Sequence, residues 1–252
     1  MINVLRSELI KLRTVRMNAV LAIVAVAFPL IITVLTATLS DLHDVNSRNL
    51  VGLVAGTSVI TGMLLGVIGA VGIASEFAFG TIRPTFAATP RRSRVIVAKA
   101  IVTVAVAILV EATVVVLCFG IGAAVMNSRG GDISLSAAGS AKGGLVGVII
   151  FAAIVSLLGY GLGLLVRSTP VAVALLLLWP LVAEGLIATV LAVARVDHPF
   201  KWLPYNAGIN LGNPDGAATS ESLGRVLGGL YFFAVTAVVA GVGALLTSRR
   251  DA

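Results

Sequence analysis

The residues in this sequence that could do chemistry are few and widely separated. Two glutamates, Glu111 and Glu184, interrupt long apolar runs, the single cysteine is Cys118, and the histidines are His43 and His198. Neither histidine has neighbours at the spacing of a metal site, and one cysteine allows no disulfide within the chain. The sequence therefore predicts a protein that is not an enzyme, with no catalytic, cofactor-binding or metal-binding residues of its own.

Two glycine-containing segments are superficially similar to nucleotide-binding motifs. The segment from Gly139 to Gly143 contains Lys142 but lacks the spacing of a phosphate-binding loop. Three alternating glycines fall inside an apolar run, where we expect them to let helices pack closely, and two further pairs have the four-residue spacing of helix contacts. These are Gly159, Gly161 and Gly163, with the pairs Gly52/Gly56 and Gly62/Gly66.

Composition predicts the fold class. Apolar residues make up 58% of the 252 residues and charged residues only 12%, far below a soluble domain. An apolar run of about 20 residues crosses the hydrocarbon core as a helix, the form that satisfies its backbone polar groups internally. We predict an all-α polytopic membrane protein, a single transmembrane domain with six spans, at about 18–40, 51–74, 100–126, 143–166, 169–194 and 226–247.

Residues 1–17 have a different pattern. Ile2, Leu5, Leu9 and Leu12 recur at three- and four-residue spacing, with cations on the other faces. This pattern predicts an amphipathic helix lying among the lipid headgroups before the first span. A cleaved signal peptide is the alternative, but its charged lead is rarely this long and periodic.

The cations predict the orientation. With a cytoplasmic N-terminus, twelve of the 18 Lys and Arg fall in inner segments, as the positive-inside rule requires. Both termini and residues 75–99 are then cytoplasmic, and residues 195–225 form an outer loop. Because the excess positive charge lies at span ends and no aromatic reading surface accompanies it, we predict contact with membrane lipid and not with nucleic acid.

The inner segment Ser75–Lys99 is much longer than a connector needs, and it contains five cations. Thr81 can cap a short helix, Pro84 fits a first turn, and Pro90 would end the helix. Its predicted apolar face is formed by Phe79, Ile82 and Phe86. The alternative is a lipid-anchored connector without a partner.

The two apolar-run glutamates must be shielded from lipid. Glu111 lies about 12 residues into its span, near mid-bilayer, and Glu184 follows Pro180 by four residues. A charge there costs at least about 2.5 kcal/mol, so each should face the bundle interior or be protonated. Either is then a structural hydrogen-bonding group between helices or a polar point on a substrate pathway.

The order of several short motifs resembles that of ABC-2 type transporter permeases, the membrane subunits of one class of ATP-binding-cassette exporters, most closely those of actinobacteria. In the inner segment these motifs are Glu76, Gly80-Thr81, Thr89-Pro90, Arg94 and Lys99. The resemblance continues in a Ser7-Glu8 start with Lys11-Leu12-Arg13, in Arg167 to Thr169, and in Trp202 to Gly208.

The resemblance implies that the short helix is a cytoplasmic coupling helix, docked on a separate ATPase subunit that binds ATP and Mg. It implies a unit of two ATPases and two permeases, homodimeric or paired with a paralogue, in the bacterial cell membrane, and an outer loop that is partly re-entrant. The implied coupling interface contains Glu76, Phe79, Gly80, Thr81, Ile82, Arg83, Pro84, Phe86 and Pro90.

A different class of function is an ATP-independent carrier or a scaffold subunit of an envelope complex. Carriers often contain internal repeats, and the sequence has no convincing three-plus-three repeat. A membrane-embedded enzyme is a third alternative, disfavoured because His, Asp and Ser are not clustered.

Overall fold

The computed structural model describes residues 16–41, 46–82, 84 and 92–249, which form helices without any strand among them. Every helix except a short α6 is long and apolar enough to cross a membrane, which confirms the all-α polytopic fold with six spans. Residues 1–15 of the predicted amphipathic helix lie outside the described ranges. The helices are α1 (Arg16–Leu39), α2 (Ser47–Ala78), α3 (Arg92–Ser128), α4 (Lys142–Val166), α5 (Thr169–Val193), α6 (Pro204–Ile209) and α7 (Arg225–Arg249).

The six long helices run alternately up and down, which gives the bundle two ends. At the Glu76 end lie the C-termini of α2, α4 and α7 and the N-termini of α1, α3 and α5. At the Tyr205 end lie the connection from α3 to α4 and the long segment 194–224 that contains α6. Arg16 and Arg249, the first and last described residues, therefore lie at the same end.

Two helices are longer than their predicted spans. Helix α2 begins at Ser47, where the Asn46 side chain caps it by accepting from the Asn49 backbone N–H at 2.9 Å. With 32 and 37 residues, α2 and α3 are about 48 and 55 Å long, against a hydrocarbon core of about 30 Å. Only residues 79–91 lie between the two helices, so both ends of the predicted inner segment 75–99 are helical.

Helices α2 and α4 form the centre of the bundle and make its most extensive helix contact. A Cβ atom on Gly159 would meet the backbone of Gly66, and one on Gly163 would lie 2.8 Å from the Ala70 carbonyl oxygen. Close packing at these positions, at Gly161 and at the Gly62/Gly66 pair is confirmed. The prediction of close packing is wrong for Gly52/Gly56. A Cβ on Gly52 would make only ordinary contact, and a Cβ on Gly56 would have no atom within 4 Å.

Helix α5 is interrupted near its middle by a π-helical turn, Trp179–Ala183, that contains Pro180. A proline removes a backbone donor and collides with the preceding turn, and the wider turn relieves both effects. The α-helix resumes at Glu184.

The segment 194–224 enters the bundle between α4 and α7. The Tyr205 ring lies edge-on to Phe151, with ring centroids 5.4 Å apart, and 5.8 Å from Phe232. Phe151 is nine residues into α4, so the segment descends about 14 Å below the start of that helix. Arg48 at the start of α2 forms a salt bridge with Asp215 and fastens the segment from outside.

Candidate functional site

At the Glu76 end, a buried ion pair joins the two longest helices. Lys99 Nζ of α3 donates to Glu76 Oε1 of α2 at 2.6 Å, and the side chains are only 5% and 11% exposed. Breaking a buried ion pair by removing one partner is usually strongly destabilising, so this pair holds α2 and α3 together. Glu76 lies two residues before the end of α2, and Lys99 lies seven residues, about two turns, after the start of α3.

A second contact links this pair of helices to the turn between α4 and α5. The Arg167 guanidinium lies over the ring of Phe77, 4.8 Å from its centroid. Arg167 ends α4 in the left-handed conformation, with φ of 58°. Tyr160 of α4 donates its hydroxyl to the Ile96 carbonyl of α3 at 2.8 Å. Helices α2, α3 and α4 are thus cross-connected at this end.

The chain after α2 turns sharply and returns to the core. Gly80 has φ of 70°, a conformation that suits glycine, and its N–H donates to the Phe77 carbonyl. Ile82 is 3% exposed and packs in a cluster with Tyr160, whereas Phe79 is 81% exposed. Phe79 and Ile82 therefore do not share the predicted apolar face, because the glycine turn separates them.

The remaining predicted interface residues divide between described and undescribed positions. The Thr81 hydroxyl lies 3.5 Å from the Glu76 carbonyl oxygen, and Ile82 and exposed Pro84 are helical. Arg83, Phe86 and Pro90 lie outside the described residues. The two helices on either side of residues 79–91 are thus joined to each other and to α4.

Glu184 is surrounded by hydrogen-bond donors near the Tyr205 end. Its Oε1 accepts from the Tyr205 backbone N–H at 2.7 Å and from Trp179 Nε1 at 3.1 Å. Its Oε2 accepts from both the backbone N–H and the side-chain Nδ2 of Asn206, at 3.0 and 2.8 Å. The fully buried carboxylate thereby satisfies the first donors of α6 and holds this helix against α5.

Glu111 of α3 is also fully buried, but its surroundings are different. Neither of its carboxylate oxygens has a hydrogen-bond partner among the described residues. The Ser58 hydroxyl of α2, equally buried, lies beside it without a well-formed hydrogen bond. The structure therefore does not bring Glu111 and Glu184 together, and it gives them opposite surroundings.

Sequence reasoning did not predict the partners of these acids, namely Ser58, Trp179, Tyr205 and Asn206. One signal was available for α6. Its N-cap position is occupied by Leu203, which has no side-chain acceptor, so the first N–H groups of a buried helix there require an acceptor from elsewhere. No comparable signal relates Glu111 to Ser58.

The described residues contain no group of three or more His, Cys, Asp or Glu able to hold a metal ion. Cys118 is a free, buried thiol. Comparison with protein-family models and with curated proteins found no match to this sequence.

Proposed function

We propose that the chain is the permease subunit of an ATP-driven ABC-2 type exporter and forms the substrate pathway with a second permease. Two copies of a separate ATPase subunit would bind ATP and Mg and drive the pair. The observation that carries the proposal is that α2 and α3, the helices on either side of residues 79–91, are joined to each other and to α4 through Glu76–Lys99, Arg167–Phe77 and Tyr160–Ile96.

These contacts support coupling because a loop transmits force only when its ends are stiffly held. A push on the loop would move α2 and α3 together, since the buried ion pair joins them. Through Phe77 and Arg167 the same push would reach the turn between α4 and α5. In the proposed orientation, the Glu76 end and both chain termini face the cytoplasm of a bacterial cell.

Within this proposal the two buried acids have separate roles. The four donors around Glu184 support a structural role, positioning α6. Glu111, without such donors, is the better candidate for a polar point on the substrate pathway.

The proposal predicts that the chain hydrolyses no ATP alone and co-purifies with a subunit that contains a phosphate-binding loop. Mild cross-linking in native membranes, followed by affinity purification and mass spectrometry, identifies this subunit. In the reconstituted complex, Phe86→Pro should abolish association or permease-dependent stimulation of ATP hydrolysis, since proline breaks a short helix at a cost of about 3 kcal/mol. Phe86→Ala, which is compatible with the predicted short helix, is the matched control.

If the Phe86→Pro variant still bound the ATPase subunit and stimulated ATP hydrolysis normally, the loop would be a connector without a coupling role. The second candidate, an ATP-independent carrier, is favoured by one observation, the unpartnered Glu111 carboxyl in mid-span. It would replace the first if the chain purified without an ATPase and a Glu111→Gln variant lost ion-gradient-driven transport in proteoliposomes.

A further inference from the structure

A groove runs along the outer face of α4, between α3 and α7. Helix α7 packs along α4 but barely touches α3, so the space between them stays open. The groove has a volume of about 540 Å³, within the range of roughly 300–1,000 Å³ typical of small-molecule sites. The α4 positions that line it begin at Gly143 and end at Leu157, a length of about 21 Å along the helix.

The groove is apolar along its length and cationic at one end. Its walls include exposed Ile150 of α4 and exposed Val226, Leu230 and Phe233 of α7. Arg225 is its one charged lining residue, and it lies at the Tyr205 end beside Gly143.

Among the described residues, Arg225 has no ion-pair partner. Its Nη2 donates to the Asn213 carbonyl oxygen at 2.6 Å, whereas its Nε is buried and has no partner among the described residues. No ion pair within the described ranges includes Arg225 or Lys142, the exposed first residue of α4 one position before Gly143. An anion at this end would therefore meet two cations that pair with no carboxylate among the described residues.

We propose that this groove binds one anionic phospholipid, with an acyl chain along α4 and the phosphate at Arg225 and Lys142. The groove exceeds the depth of one leaflet's hydrocarbon, about 15 Å, so a full acyl chain fits. A phosphate diester accepts hydrogen bonds from a guanidinium. The site is independent of ATP coupling, since no group at the Glu76 end takes part in it.

The test uses the purified, delipidated full chain, incubated with phosphatidylglycerol or phosphatidylcholine of identical acyl chains and analysed by native mass spectrometry. We expect one tightly retained phosphatidylglycerol and several-fold weaker retention of phosphatidylcholine. Arg225→Gln should reduce phosphatidylglycerol retention about fivefold. Arg129→Gln is the matched control, because Arg129 lies at the same end but donates to the Ala37 and Ser40 carbonyl oxygens away from the groove.

A second pair of variants tests the acyl chain without altering charge. Val226→Trp should fill the groove and lower retention of both lipids, while Val238→Trp, equally exposed on α7 but outside the groove, should not. The proposal would be overturned if the protein retained both lipids equally, or if Arg225→Gln kept the wild-type preference for phosphatidylglycerol. It would also be overturned if Val226→Trp and Val238→Trp retained the lipids to the same extent. Efficient disulfide-linked dimers of a Val226→Cys variant in native membranes would overturn it as well, since a second copy would then occupy the groove.

Discussion

Glu184 shows how a carboxylate can be accommodated within a span. Three of its four donors belong to Tyr205 and Asn206, at the start of α6, and the fourth belongs to Trp179 in the π-helical turn. The interrupted helix α5 and the inserted segment are therefore fastened through one side chain. Every hydrogen-bond partner of this carboxylate is a donor.

We expect Glu184→Leu to destabilise the protein by roughly 3 kcal/mol or more, because several buried N–H groups lose their acceptor. Glu184→Gln should cost about half as much, since one oxygen remains but the new NH₂ group faces other donors. Thermal unfolding of the purified variants in detergent measures both. Glu221→Gln, at an exposed carboxylate, is the control, and an unfolding temperature for Glu184→Leu equal to that of the control would contradict the structural role.

The Glu76–Lys99 pair gives a second prediction at this scale. Lys99→Met should destabilise the protein by about 3 kcal/mol, because the buried Glu76 carboxylate would lose the ammonium group 2.6 Å away, and adding Glu76→Leu should recover much of the loss. A double-mutant cycle of unfolding free energies measures this coupling. Additive losses from the two substitutions would show that the pair does not hold α2 and α3 together.

At the scale of elements, the glycines of α2 and α4 set the distance between the two central helices. A Cβ on Gly159 would collide with the Gly66 carbonyl oxygen, so Gly159 could not carry a side chain without moving a backbone. A Cβ on Gly66 would instead meet the side chains of Val155 and Leu176 at 2.9 Å. Gly56, on the same α2 helix, is exposed and meets nothing. The pairs Gly52/Gly56 and Gly62/Gly66 have the same spacing in the sequence, but only the second pair is closely packed against another helix.

We therefore predict that Gly159→Ala destabilises the bundle by about 1–3 kcal/mol through overpacking. Gly56→Ala should be neutral or stabilising by up to about 1 kcal/mol, because alanine favours the helix more than glycine does. Unfolding in detergent compares the pair directly. If both variants unfolded alike, the α2–α4 contact would be looser than its geometry indicates.

At the scale of the whole molecule, six alternating helices place all connections at two ends. The connection between α4 and α5 at the Glu76 end consists of Arg167 and Ser168 alone, whereas segment 194–224 at the Tyr205 end is long and folded into the bundle. The cation distribution predicts that the Glu76 end is cytoplasmic.

Single cysteines in a Cys118→Ala background test this orientation, since Ser93 and Ser220 are exposed at opposite ends. In intact cells an impermeant thiol reagent should label Ser220→Cys, and it should label Ser93→Cys only after permeabilisation. The reverse pattern would invert the topology and remove the loop from the cytoplasm.

The spans could be predicted from the sequence because an apolar run near 20 residues has few alternatives in lipid. The full length of α2 and α3 could not be predicted, because a charged residue in the sequence marks the end of an apolar span, and Glu76 and Lys99 are such residues. Only the fold shows that the two side chains form an ion pair. The burial of Ile82 in the core could not be predicted from the sequence either. A glycine at positive φ redirects the chain, and periodicity does not report that change.

Because α2 and α3 are longer than the membrane core is thick, a tilt of either helix would move both of its ends. Neither helix contains proline, so each should behave as a stiff rod, unlike α5 with its break at Pro180. A 10° tilt of α2 about its midpoint would displace each tip by about 4 Å, in opposite directions. Glu76 lies near one end of α2, and Arg48 lies near the other end, where it forms a salt bridge with Asp215 of segment 194–224. A small displacement applied at one membrane face would therefore be delivered to the other without any helix having to unwind.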